Sequence, residues 1–303
     1  MPALQVFAPA KVNLTLHITG QRADGYHLLD TLVAFASVGD LLSLSPSSSA
    51  SITVEGPEAA DVPADTENLA LRAAMLALGA HGAALTLEKH LPVASGVGGG
   101  STDAAAALRG ALALLDESAH SLLTLGPDIL LETRFRPLLK LGADIPMCLL
   151  PRPLRARGIG ERIAFVELPP LPAVMVNPRV ALSTPDVFRA LRTRAHPPMP
   201  EELPTFDHAA TVIDWLKGQR NDLEEAAKGL TPAINAVMRA LSEQPGCGLA
   251  RMSGSGATCF GLFAAQDDAK AAAAHLGRTH PDWWVAGCIL GDQSAVSLPR
   301  ALA

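Results

Sequence analysis

The chain has no basic field, no membrane-length apolar run and no paired cysteines, and each lack removes a class of function. Its 303 residues carry a formal net charge of −6, which offers nothing to attract nucleic acid or an anionic membrane. No apolar run approaches the ~20 residues that span a bilayer. The opening residues, Met1 to Lys11, hold no basic stretch followed by an apolar block, so a signal peptide is not expected. Cys148, Cys247, Cys259 and Cys288 are widely scattered, with no Cys-x-x-Cys pair. That argues against a zinc site and suits reduced thiols in a cytoplasm. Internal repeats are absent as well. The hydrophobic share of 49% allows a sizeable core, and the length suggests one large or two medium domains.

The most informative stretch is 92–115. It begins Pro92-Val93-Ala94-Ser95-Gly96-Val97-Gly98-Gly99-Gly100-Ser101-Thr102 and runs into Asp103 and an alanine-rich helix former. Ser101, Thr102 or Asp103 is expected to cap that helix, because a short side-chain oxygen satisfies an orphan N–H. Ala104 to Ala107 propagate it at little cost, and Leu108, Leu112 and Leu115 share one face at helical spacing. Glycine N–H groups at a helix N-terminus approach an anion closely, and phosphate is the usual occupant. Two better-known phosphate loops do not fit. This one lacks the lysine of a P-loop, and Ser101 stands where the dinucleotide fingerprint needs glycine or alanine. The competing reading is a plain strand-to-helix turn, for which four glycines in five positions is an expensive solution.

Other residues stand out along the chain. Residues 4–20 alternate as a strand does, yet Lys11 sits among small and apolar neighbours in Ala8-Pro9-Ala10-Lys11-Val12-Asn13-Leu14. It is either a surface lysine on an edge strand or a cation aimed at a phosphate or carboxylate, since a buried ammonium needs a partner. Asp24-Gly25 signals a hairpin, and the only tyrosine, Tyr26, follows it beside His27. The pair suits either a flat base to be stacked and hydrogen-bonded or an aromatic packed over the hairpin. Sheet is expected over Leu32 to Leu44 with a turn at Gly39-Asp40. A capped helix follows Thr66-Glu67-Asn68 and ends near Gly79, and Lys89 and His90 precede the glycine loop.

A helical stretch is expected over 121–140, interrupted by Pro127 and Pro137. Asp144 then lies inside an apolar run, either as a cap or as a buried carboxylate for which Lys11 is a candidate partner. The Arg- and Pro-rich Pro151 to Arg157 reads as a solvated linker, with a domain boundary near Gly158-Ile159-Gly160-Glu161. Pro185 suits the first turn of a helix after Ser183-Thr184. The segment 251–260 looks like strand, tight turn, strand, and its glycines could back the first loop.

The motif Pro-x-x-x-Gly-x-Gly-Gly-Gly-Ser-x-x-Ala-Ala at 92–105 resembles the ATP-binding motif of the GHMP kinases. Six more blocks fall in family order between residues 8 and 257: Ala8 to Leu14, Arg22 to His27, Gly142 to Pro146, Ser183 to Pro185, Asn221 to Glu224 and Ser253 to Ala257. The Asp24-Gly25-Tyr26-His27 block is similar to that of the member acting on a cytidine-bearing alcohol. The resemblance implies an α+β protein of two domains, 1–158 and 159–303. The first would be the nucleotide domain, of the ribosomal protein S5 domain 2-like kind, and the second ferredoxin-like, with the site in the cleft between them. It implies ATP and Mg2+, and phosphorylation of a hydroxyl on a cytidine diphosphate-linked alcohol. No nucleic acid or membrane partner is implied, and the chain is expected as a monomer or weak homodimer in the cytoplasm.

Residue by residue, Asp144 resembles the general base and Lys11 the cation that orients it. Pro92 to Thr102 would wrap ATP, with Asn68 and Lys89 near the adenine. Asn13, Tyr26, His27, Thr184 and Pro185 would hold the alcohol substrate. The metal ligands are left open. Two departures from the family pattern stand out: Pro151-Arg152-Pro153-Leu154-Arg155-Ala156 after the Gly-Ala-Asp-x-Pro block, and Asp103 where the family has asparagine. A carboxylate there suits the helix dipole but not a neighbouring phosphate.

Overall fold

One long strand, His27–Ser47, is the spine on which the rest is hung. The computed structural model describes residues 3–79, 81–115 and 136–302. In chain order the elements are β1 (Leu4–Asn13), β2 (His17–Gln21), β3 (His27–Ser47), β4 (Ser51–Glu55), α1 (Leu69–Leu78), β5 (Gly82–Glu88) and α2 (Gly99–Leu114). Then come α3 (Arg136–Leu141), α4 (Ile145–Cys148), β6 (Leu154–Gly158), β7 (Arg162–Phe165), β8 (Leu171–Asn177), α5 (Thr184–Arg189) and α6 (Ala209–Lys217). The chain closes with α7 (Glu224–Leu230), α8 (Ala233–Ser242), β9 (Cys247–Met252), β10 (Cys259–Phe263), α9 (Gln266–Thr279), β11 (Trp284–Gly291) and β12 (Arg300–Ala301). Most of the stretch read as helix over 121–140 lies outside the described residues; α3 is the part within them.

β3 pairs with β1, β2, β5, β6 and β11, and the sheet continues through β8, β10 and β9. All these pairings are antiparallel except that of β4 with β5. Helices cover the sheet in two groups. In the first, α2 is buried almost all round. Ala104, Ala105 and Leu108 face Val33 and Phe35, while Ala106, Ala107 and Ala111 face Val6, Leu42 and Leu44. Only methyl-sized side chains let a helix lie this close to two strands and a second helix at once. In the second group, Ile234, Val237 and Leu241 of α8 recur at helical spacing and are fully buried against β8 to β10. Each is worth about 1.5–3 kcal/mol of burial.

Two sequence expectations are corrected here. Gly39-Asp40 is not a turn; β3 runs straight through it, opposite Pro9 and Ala8 of β1. An irregularity lies beside it on β3, where the strand advances from Phe35 to Gly39 while β1 advances only from Pro9 to Lys11. Pro151–Arg157 is not a solvated linker. Its second half is β6, and buried Arg155 forms a two-bond fork with Asp30, at 2.8 and 2.6 Å. The same guanidinium holds the carbonyls of Met199, Pro200 and Glu201, which pins the proline-rich 193–206 loop to the sheet. Gly158-Ile159-Gly160-Glu161 is the turn of the β6–β7 hairpin.

Candidate active site

The glycine loop links β5 to α2, and its shape needs glycine at two places. Gly96 and Gly98 have φ of +77° and +67°, where a Cβ is strained. Gly98 is also the N-cap of α2, with no side-chain bond across the helix end. The expectation of a Ser101, Thr102 or Asp103 cap is therefore corrected: all three lie inside the helix, past its N-cap. The uncapped N–H groups are left for a ligand, and the helix dipole favours an anion there.

The second glycine segment backs the first. Ser253 Oγ donates to Gly96 O at 2.9 Å and accepts from Asn13 N–H at 3.1 Å. Thr258 N–H donates to Ser95 O at 3.0 Å, and Lys11 N–H to Val97 O at 2.9 Å. β1, the glycine loop and the β9–β10 turn are thereby bolted together. Asn221, in another of the quoted blocks, supports this turn: its amide donates to Met252 O and Gly254 O at 2.9 and 2.8 Å.

Lys11 and Asp144 meet at the mouth of this loop. Lys11 Nζ is 2.6 Å from Asp144 Oδ2, across 133 positions of sequence. Lys11 is buried, so it is not a surface lysine on an edge strand; its stem lies about where a side chain on Gly98 would be. Asp144 occupies the N-cap of α4 but makes no capping bond, which leaves its carboxylate to Lys11 and the cleft. Its side chain is 39% exposed, against 5% for Lys11. A cation buried on one side and a carboxylate open on the other is an arrangement that can hold a hydroxyl and receive its proton.

The cleft has a volume of about 940 Å³ and reaches from Lys11, Asp144 and the loop to Tyr26, His27, Thr184 and Pro185. His27 stacks on Phe188, ring centroids 4.8 Å apart. Burial, and secondarily Arg194, lowers the imidazole pKa, so His27 is neutral near pH 7 and has both a donor and an acceptor nitrogen. Its Nε2 is buried without a partner, as is Oδ1 of Asn13. Asn13 Nδ2 is held by Thr31 Oγ1 at 2.8 Å, and Thr184 Oγ1 lies 2.7 Å from Ser255 Oγ. Tyr26 is 57% exposed at the hairpin tip, with the Arg22 guanidinium over its ring at 6.0 Å from the centroid. Phe188 was missed in the sequence reading, although a signal was there: it follows Thr184 by four residues on one helix and so shares its face.

A smaller recess of about 210 Å³ joins the loop and contains Asn68, Lys89, Pro92, Val93 and Ala94. Asn68 is the N-cap of α1: its Oδ1 accepts from Ala70 N–H at 2.9 Å and its Nδ2 donates to Pro63 O at 2.7 Å. Lys89 points inward to Asp40 and Asp103. Both polar ends are thus committed within the protein. Asp103 faces Lys89 beneath the loop. Among the described residues no cluster of three His, Cys, Asp or Glu side chains suits a metal ion, and no helix is long and apolar enough to cross a membrane.

Comparison with known proteins gives the following. Residues 68–150 match the GHMP kinases N terminal domain and 208–282 the GHMP kinases C terminal domain. The chain is 53% identical over 298 residues to the 4-diphosphocytidyl-2-C-methyl-D-erythritol kinase of Roseobacter denitrificans, covering 98% of this chain and 97% of that one. It is 52% identical over 290 residues to the kinase of the same name from Dinoroseobacter shibae, covering 94% of each. A crystal structure of 4-(cytidine 5'-diphospho)-2C-methyl-D-erythritol kinase superimposes with a TM-score of 0.70 at 36% identity, over 95% of this chain and 99% of that one.

Proposed function

The chain belongs to the GHMP kinases and, within them, to the 4-diphosphocytidyl-2-C-methyl-D-erythritol kinases, and from that premise we propose how its own residues carry out the transfer. It is an ATP-dependent kinase. It phosphorylates the 2-hydroxyl of 4-diphosphocytidyl-2-C-methyl-D-erythritol, giving the 2-phosphate and ADP, in the non-mevalonate route to isoprenoid precursors.

Phosphoryl transfer needs positioning and charge neutralisation more than covalent help. In our reading Gly96 to Thr102 and the N-terminus of α2 hold the phosphates, and Pro92 to Ser95, Asn68 and Lys89 shape the adenine recess. Asp144 receives the proton of the attacking hydroxyl. Lys11 orients Asp144 and offsets the developing charge, supplying from β1 the cation that the loop lacks. Asn13 contacts the substrate alcohol. Tyr26 and His27, with Phe188, hold the cytosine, and Thr184 and Pro185 close that end. Magnesium is expected together with ATP, and its ligands on this chain are left open. We place an ATP-binding part around the first family region, 68–150, and a C-terminal part around the second, 208–282, with the division after the β6–β7 hairpin and so past residue 158. We assign it to the cytoplasm, where four free thiols remain reduced.

The observation that carries this reading is the Lys11–Asp144 contact of 2.6 Å at the mouth of the glycine loop. ADP release, coupled to a reporter, tests it with three alcohols. Turnover is expected with 4-diphosphocytidyl-2-C-methyl-D-erythritol and not with mevalonate or homoserine; equal turnover of either of those overturns the substrate assignment. Within the cytosine end, Tyr26→Ala is expected to raise KM for the alcohol roughly tenfold, a base stack being worth about 1–3 kcal/mol, and to leave KM for ATP nearly unchanged. Equal rises in both would remove Tyr26 from the cytosine.

A further inference from the structure

Two carboxylates and one ammonium are enclosed together beneath the glycine loop. Asp40 comes from the middle of β3, Lys89 from just past β5 and Asp103 from the start of α2. Lys89 Nζ donates to Asp40 Oδ2 and, at 2.8 Å, to Asp103 Oδ2. All three side chains are at most 4% exposed. Asp40 Oδ1 also accepts the N–H groups of His90 and Leu91, at 2.6 and 2.9 Å. The other oxygen of Asp103 is buried with no partner. A Cβ on Gly99 would lie 3.4 Å from Lys89 Nζ. The cluster therefore ties the spine strand, the strand entering the loop and the helix leaving it.

With both carboxylates ionised, the cluster would carry an uncompensated negative charge in a dry site, which is strongly unfavourable. A proton on one of them removes that charge. Asp40 has three donors aimed at it. Asp103 has one donor and is the one to take the proton.

We propose that Asp40, Lys89 and Asp103 are positioning residues for the ATP loop, and that they hold it with one proton kept on Asp103. The proposal rests on the ATP reading of that loop. The other charged and titratable groups nearby do not supply the missing compensation. Glu88 and His90 pair with each other at 2.8 Å, outside the cluster. Asp61 and Glu67 line the recess that opens onto Asp103 and add negative charge. Arg109, farther along α2, donates to the carbonyls of Phe7, Cys148 and Ser297. Cys148 on α4 is a buried thiol whose pKa burial pushes up, so it stays neutral. Burial, then the Asp40 carboxylate, pushes the Asp103 pKa up to about 8 against the pull of Lys89. Burial would lower Lys89, but Asp103 and Asp40 together hold its pKa above the ordinary lysine value.

The sign of the pH effect follows. The unfolded chain releases the Asp103 proton near pH ~4, while the folded chain keeps it to about pH 8. The folded state thus binds more protons in that window, so this residue's contribution to stability falls as pH rises through it. Above about pH 8 the folded cluster also turns negative, directly under the phosphates.

Asp103→Asn keeps the shape and an acceptor for Lys89 but has no proton to lose. Tm, and KM for ATP and for the alcohol, are to be measured for both proteins from about pH 6 to about pH 9. The parent protein is expected to lose Tm as pH rises to about 8 and then to level off, and to show a several-fold rise in KM for ATP above pH ~8, with no matching rise for the alcohol. Asp103→Asn is expected to flatten both curves. Parallel curves for the two proteins would overturn the proton on Asp103. Asp40→Asn puts an amide donor against Lys89 and is expected to raise KM for ATP about tenfold at neutral pH, more than it lowers kcat. An equal loss in kcat and both KM values would overturn the positioning role. Were the ATP assignment itself wrong, ATP would not be turned over at all, yet the Tm curves would still differ.

Discussion

Asp144→Asn is expected to lower kcat by about 10²–10⁴-fold, the usual worth of a general base, while KM for ATP and for the alcohol stay near their parent values. The substitution keeps the side chain's size and an oxygen that Lys11 Nζ can still reach, so it changes basicity far more than shape. Stability should move little. Asp144 is 39% exposed, and asparagine keeps an oxygen for the buried Lys11 ammonium to donate to, so that ammonium is not left without a partner. The circular dichroism spectrum and Tm should therefore match the parent, and single-turnover kinetics should place the loss in the chemical step. A folded Asp144→Asn protein with near-normal turnover would exclude Asp144 as the base and leave Lys11 and the helix terminus as the whole of the catalysis.

The second large effect is structural and concerns Gly96. A Cβ there would lie 2.5 Å from Ser253 O and 2.7 and 2.8 Å from Gly256 O and N, all backbone atoms of the opposing loop. No side-chain rotation relieves such contacts; the two loops must separate. The φ of +77° adds about 1–2 kcal/mol for any residue with a Cβ, and overpacking typically adds about 1–3. Gly96→Ala should lower stability by about 2–5 kcal/mol by urea denaturation and weaken ATP by more than tenfold, because Gly96 O loses Ser253 and the loop loses its backing. Gly79→Ala is the control. Its φ is +60° but nothing lies within 4 Å of the added carbon, so it should carry the conformational cost without the loss of ATP. Equal ATP affinity in the two variants would show that loop-to-loop contact is not what shapes the phosphate site.

Much of the local architecture was readable in the residues. Asn68 and Gly79 do bracket α1, as a polar cap and a glycine stop should. Asp24-Gly25 does turn β2 into β3, with Arg22 N–H bonded to Tyr26 O at 2.7 Å. The helix after the glycine loop was equally plain, but its cap was not. Three polar residues competed for the position, and a glycine able to adopt a positive φ took it. Gly39-Asp40 misled for the same kind of reason. Locally it is a turn dipeptide; in the fold, Lys89 and two backbone N–H groups satisfy Asp40, and the strand continues.

The sequence by itself determined where helices and hairpins start and stop, and which chemical groups were at hand: a loop of glycine N–H groups, one unusual lysine, one unusual aspartate, one tyrosine beside a histidine. Those signals act between residues at most four or five apart, through backbone freedom and capping bonds, so they survive in the bare chain. Tertiary structure decided who meets whom. Lys11 was a candidate partner for Asp144 from the residues, and the fold joins them. That Phe188 covers His27 and Asp103 shares Lys89 with Asp40 shows only in the fold, where β3 gathers five strands around one line. Such contacts depend on which strands pair and in what register, and that is settled by burying the whole core at once.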